Sequence, residues 1–130
     1  MMAPRLEVVS GPDVPPTIGP YSPAVRVGDL LFVSGQAGID PATGDLAGDS
    51  FGEQARQTFR NLDAVLQAGG SEPALVANTT VLVADASCFA SLNDLFAEFF
   101  PVDPPARMTM QVPLPRGLLI SIGCVAAVGA

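Results

Sequence analysis

A chain of 130 residues and 13.3 kDa is enough for one ordinary domain. Hydrophobic residues make up 48% and charged residues 15%, which supports a packed core and argues against disorder. A net charge of -7, with no basic patch to offset it, sets nucleic acid aside as a partner.

Along the chain, Leu6 to Val9 reads as a first short strand. Gly11 to Pro20 carries four prolines and two glycines and reads as a loop. Ala24 to Val27 and Leu30 to Ser34 read as strands joined by a tight hairpin at Gly28-Asp29. Ser50-Phe51-Gly52-Glu53 fits a capping box, and Phe51, Ala55, Phe59, Leu62 and Leu66 follow at helical spacing until Gly69-Gly70. Val76 to Val83 is β-rich. Asp85 to Ser87 offers N-caps for a second helix, striped by Phe89, Leu92, Phe96 and Phe99 and stopped by Pro101 to Pro105. Arg107 to Val112 and Leu118 to Val128 are the last strands. The order β-β-β-α-β-α-β-β predicts a single α+β domain over residues 1–130, with two helices on one face of a mixed sheet.

Cys88 and Cys124 do not have metal-ligand spacing, and the chain has no histidine, so neither a metal nor a cofactor is expected. Met1 to Leu6 lacks the apolar core of a signal peptide, and no stretch approaches a membrane span. The expectation is a cytoplasmic protein with reduced thiols and no membrane partner. Few charges and many apolar residues fit either apolar surface buried against other copies or a small, well-packed domain.

Arg107 stands out. All six cationic side chains are arginine, and beyond Asp103 there is no aspartate or glutamate. A guanidinium on an apolar strand without a sequence-local counter-ion suits a substrate carboxylate, which it binds bidentately. It also suits a structural role in satisfying carbonyls at an interface. Period 2 puts Arg107, Thr109 and Gln111 on one face of their strand. It puts Ile120, Ile122, Cys124 and Ala126 on the core face of the last strand, with Ser121 and Gly123 opposite. If these two strands pair, Arg107 shares an uncovered face with Ser121 and Gly123.

Several segments together resemble the Rid (YjgF) family of reactive-intermediate imine deaminases. They are Ile18-Gly19-Pro20-Tyr21-Ser22-Pro23-Ala24-Val25, Leu31-Phe32-Val33-Ser34-Gly35-Gln36, the helix Gln54 to Leu66 with Asn61-Leu62, Asn93 to Phe100, and Pro105-Ala106-Arg107. The resemblance runs from about Thr17 to Val128. It implies a homotrimer whose three sheets form a central barrel, with active sites in the clefts between subunits. The implied reaction is cofactor-free hydrolysis of an enamine or imine, such as 2-aminoacrylate, to a carbonyl compound and ammonia. It places the substrate-carboxylate arginine on Arg107 and substrate contacts on Tyr21, Ser34, Gly35 and Asn93. Thr109 falls on the position after next from the arginine.

One departure matters. Aligned through Leu114-Pro115, the last-strand glutamate that positions water in the family falls on Ser121 and the next acidic position on Gly123; aligned directly from Arg107 it falls on Ile122, and neither alignment restores a carboxylate. Ser121 and Thr109 are left to orient the water, and a hydroxyl is a poor base unaided. The expectation is therefore a deaminase with weakened generic activity, or one specialised for a bulkier analogue in a biosynthetic pathway. The alternative is a non-catalytic trimer that binds or sequesters metabolites.

Overall fold

Six short apolar runs build one sheet in the computed structural model, which describes residues 5–129. They are β1 (Leu6–Val8), β2 (Ala24–Val27), β3 (Leu30–Ala37), β4 (Val76–Val83), β5 (Ala106–Gln111) and β6 (Ile120–Ala127). Two helices, α1 (Phe51–Ala68) and α2 (Phe89–Phe99), complete the α+β fold. Gly28, at a φ of 58°, turns the β2–β3 hairpin, where a side chain would be strained.

Strand order is β1-β2-β3-β6-β4-β5, and only β4 and β5 run parallel. The direct pairing of the last two strands, on which the shared face of Arg107 and Ser121 depended, does not occur: β4 lies between them. The reason is topological. β4, α2 and β5 form a strand-helix-strand unit, and a helical crossover returns the chain parallel to its first strand. β6 then fills the slot between β3 and β4, antiparallel to both.

Helix α1 begins at the expected capping box. Ser50 Oγ accepts from Glu53 N at 3.2 Å, and Glu53 Oε1 accepts from Ser50 N at 3.4 Å. Such a cap contributes about 1 kcal/mol. Ala55, Phe59, Leu62, Val65 and Leu66 then bury against the sheet, as do Leu92, Leu95 and Phe96 of α2. Facing them are Leu31, Val33, Val81, Val83, Ile120, Ile122, Cys124 and Ala126. Each large aliphatic chain buried this way stabilises the fold by about 1.5–3 kcal/mol.

The other face of the sheet has no helix. Leu30, Phe32, Met108 and Met110 stand on it, from 40% to 59% exposed. Ser121 shares a rung with Leu82 and Met110, and Gly123 shares one with Thr80 and Met108.

Candidate active site

The register places Arg107 level with Thr79 and Cys124, and Thr109 level with Val81 and Ile122. Both therefore lie on the helix-covered side, at the outer edge formed by β5, and not beside Ser121 and Gly123 as expected. Arg107 reaches α2. Its Nη2 donates to Asn93 Oδ1 at 2.8 Å, and its guanidinium carbon sits 4.9 Å from the centre of the Phe96 ring. Both partners are neutral, so the positive charge stays uncompensated on an exposed side chain. Thr109 Oγ1 is buried without a hydrogen-bond partner. Leaving a hydroxyl in that state costs about 1–3 kcal/mol, which a polar ligand atom would offset. Gln111 accepts from Ala86 N at 2.8 Å and so braces the turn before α2.

The remaining sequence-predicted residues gather around β3, three strand spacings or roughly 14 Å across the sheet, and around its neighbour β6, which carries Ser121. Ser34 Oγ donates to the Ser22 carbonyl at 2.6 Å, and Ser34 N donates to the Pro23 carbonyl at 3.0 Å. These bonds tie the Tyr21 loop to β3. Tyr21 is exposed, its ring lies against Gly19, and its phenol oxygen accepts from Ile18 N at 3.4 Å. Val33 pairs with Cys124 and Gln36 with Ile122, so Ser34 and Gly35 bulge opposite Gly123. A Cβ on Gly35 would lie 2.7 Å from Ser121 Oγ, so glycine is what lets Ser121 sit there. Beside this bulge is a cavity of about 90 Å³ lined by Tyr21, Gly35, Gln36, Ile39 and Asn61, among others.

Two groups thus emerge from one chain. Arg107, Thr109 and Asn93 form the first, at the β5 edge on the helix side. Tyr21, Ser34, Gly35 and Ser121 form the second, around the β3 bulge. Sequence reasoning missed the Phe96 ring under the guanidinium, because its helical spacing marked it only as core. It also missed the buried amides that hold the bulge. Gln36 Nε2 donates to the Ser34 carbonyl at 3.1 Å, and Asn61 Nδ2 donates to the Ala37 and Ile39 carbonyls at 2.9 Å. The available signals were Gln36 at the end of the Ser34-Gly35-Gln36 segment and Asn61-Leu62 in the family-like helix.

Among the described residues, no three of His, Cys, Asp and Glu come together to hold a metal ion. Cys124 is buried on the helix side, and burial pushes its thiol up to about 12. A raised pKa keeps the thiol protonated near neutral pH, which suits a packing role rather than a nucleophilic one.

Comparison with known proteins places the whole arrangement. The Endoribonuclease L-PSP family model matches residues 12–128. The chain belongs to this family, also known as the Rid family. It is 44% identical over 121 residues to the RutC family protein y4sK of Sinorhizobium fredii, covering 92% of this chain and 96% of that protein. It is 40% identical over 123 residues to the 2-iminobutanoate/2-iminopropanoate deaminase of Homo sapiens, covering 94% and 90%. Among solved structures, RidA from Psychrobacter sp. PAMC 21119 superposes with a TM-score of 0.90 at 35% identity, over 94% of this chain and 99% of that one. The mixed sheet, its strand order and the two helices are therefore those of a Rid-family fold.

Proposed function

We propose that this chain is an imine deaminase whose site is completed between copies. The observation that carries the reading is the state of Arg107: an exposed cation with only neutral partners, on a chain closely similar to named imine deaminases. Arg107 binds the substrate carboxylate bidentately and fixes the imine carbon in place. An enamine such as 2-aminoacrylate first tautomerises to the imine. Water then adds to the C=N carbon, the carbinolamine loses its C–N bond, and a keto acid and ammonia leave. Water supplies the carbonyl oxygen, and its two hydrogens end on nitrogen, so the reaction needs neither oxidant nor reductant.

The two groups of residues lie too far apart to grip one small substrate within a chain. The reading brings the Arg107 group of one copy against the Tyr21–Ser121 group of the next, in a homotrimer. The open face with exposed Phe32, Met108 and Met110 supports this, because large apolar side chains gathered on one face favour burial. Sedimentation equilibrium tests it: three chain masses are expected, and one chain mass contradicts it.

Ser121 in place of a carboxylate leaves water activation to hydroxyls. The imine is already electrophilic, so positioning carries most of the catalysis, and turnover is lower than in relatives bearing the glutamate. Ser121 and Gly123 also leave room for a substrate bulkier than 2-aminoacrylate. The lack of any carboxylate beyond Asp103 also favours a second reading, a trimer that binds carboxylate metabolites without turning them over. Ammonia release from freshly generated imino acids separates the two: release above the uncatalysed rate supports the enzyme, and saturable binding without release supports the binder.

A further inference from the structure

We infer that Phe96 is a positioning residue for Arg107, its ring serving as the platform that fixes the guanidinium for a carboxylate. The inference rests on the carboxylate-binding role proposed above and adds a residue that acts through it. Arginine carries much rotamer freedom, and an exposed arginine on an edge strand loses that freedom only when a ligand arrives. Here two contacts restrict it beforehand. Asn93 Oδ1 accepts from Nη2 at 2.8 Å, and the Phe96 ring lies under the guanidinium at 4.9 Å. Asn93 and Phe96 are three residues apart on α2, so one helix face supplies both contacts.

The ring cannot swing away. Phe96 is only 6% exposed, packed edge-on to Phe59 at 6.4 Å and tilted against Phe100 at 4.7 Å. A ring that merely filled the core would not need the cation. This one belongs to a cluster with Phe59, Phe99 and Phe100, and the guanidinium lies over its ring. Covering one face of the guanidinium leaves the N–H groups that Asn93 does not use for a planar anion, and neither contact neutralises the charge the anion needs.

The test uses pyruvate as a stable carboxylate ligand, titrated by NMR, alongside imino-acid kinetics. Phe96→Leu keeps an apolar side chain but removes the π face. We expect its Kd for pyruvate and its KM to rise roughly threefold to tenfold, matching the cost of ordering one freed side chain, with kcat within about twofold. In an Arg107→Ala background the same substitution should change neither further, because the effect passes through the cation. An unchanged Kd in Phe96→Leu, or an equal loss with and without Arg107, overturns the inference. The wild-type Arg107 Nε–H resonance gives a check that needs no variant. Ring-current shielding supports the platform, and a random-coil position overturns it while leaving the deaminase reading intact. A wild type that neither binds pyruvate nor releases ammonia overturns both.

Discussion

Arg107 and Ser121 lie on opposite faces of one sheet, with the whole of β4 between their strands. One chain therefore cannot bring both to one small substrate. Two defective variants should complement each other. Arg107→Ala removes the cation, and Gly35→Leu crowds Ser121 Oγ, which already lies 2.7 Å from the Cβ position. Mixed and reassembled in equal amounts, with assembly checked by sedimentation, they should recover about a quarter of wild-type sites, the statistical yield of a site shared between neighbours in a closed ring. No recovery in assembled mixtures would mean the site is not shared.

Ser121 is half-buried on the helix-free face of the sheet, level with Leu82. Ser121→Glu should raise kcat for 2-aminoacrylate by tenfold or more, since a positioned general base contributes about 10²–10⁴-fold. Steady-state ammonia release measures this. Unchanged or lower turnover would show that water is activated elsewhere.

Gly38 bears on stability alone. A Cβ there would fall 2.6 Å from the backbone of Gln54, which has no flexible end to give way. Gly38→Ala should destabilise the fold by about 1–3 kcal/mol, as overpacking does, measured by urea unfolding. A midpoint equal to that of wild type would contradict the close packing of α1 on the end of β3.

Cys124 should give the fold an alkaline limit. Its folded thiol is pushed up to about 12 from an ordinary 9.0 by burial. Below pH 9 both states keep the proton, and the contribution to stability is fully present. As pH rises from 9 toward 12 the unfolded chain loses its proton first, so stability falls. Unfolding midpoints followed over this range should decline, and Cys124→Ala should flatten the decline. A slope unaffected by the substitution would assign the alkaline sensitivity to other groups.

Local structure was legible in the sequence where local chemistry decides it. The Ser50–Glu53 capping box, the limits of Val76–Val83 and the core face of Ile120, Ile122, Cys124 and Ala126 follow from neighbouring residues alone. Strand order was not legible, because hydrophobic period says which face a residue takes but not which strand lies beside it. The strand-helix-strand succession from Val76 to Gln111 carried the missing information, since a helical crossover favours a parallel neighbour. Without it, pairing the last two strands puts Arg107 on the wrong side of the sheet. The candidate site residues follow from the family-like motifs rather than from spacing. Phe96 was hidden because a ring that supports a cation and a ring that fills a core have the same helical period.

The most direct measurement is ammonia release from freshly generated 2-iminopropanoate by wild type and by Arg107→Ala. Wild type should release ammonia faster than the uncatalysed reaction. Arg107→Ala should lose about a hundredfold in kcat/KM, the worth of a charge-assisted bidentate contact. Equal rates for the two proteins would contradict the assignment of Arg107 as the carboxylate-binding residue of an imine deaminase.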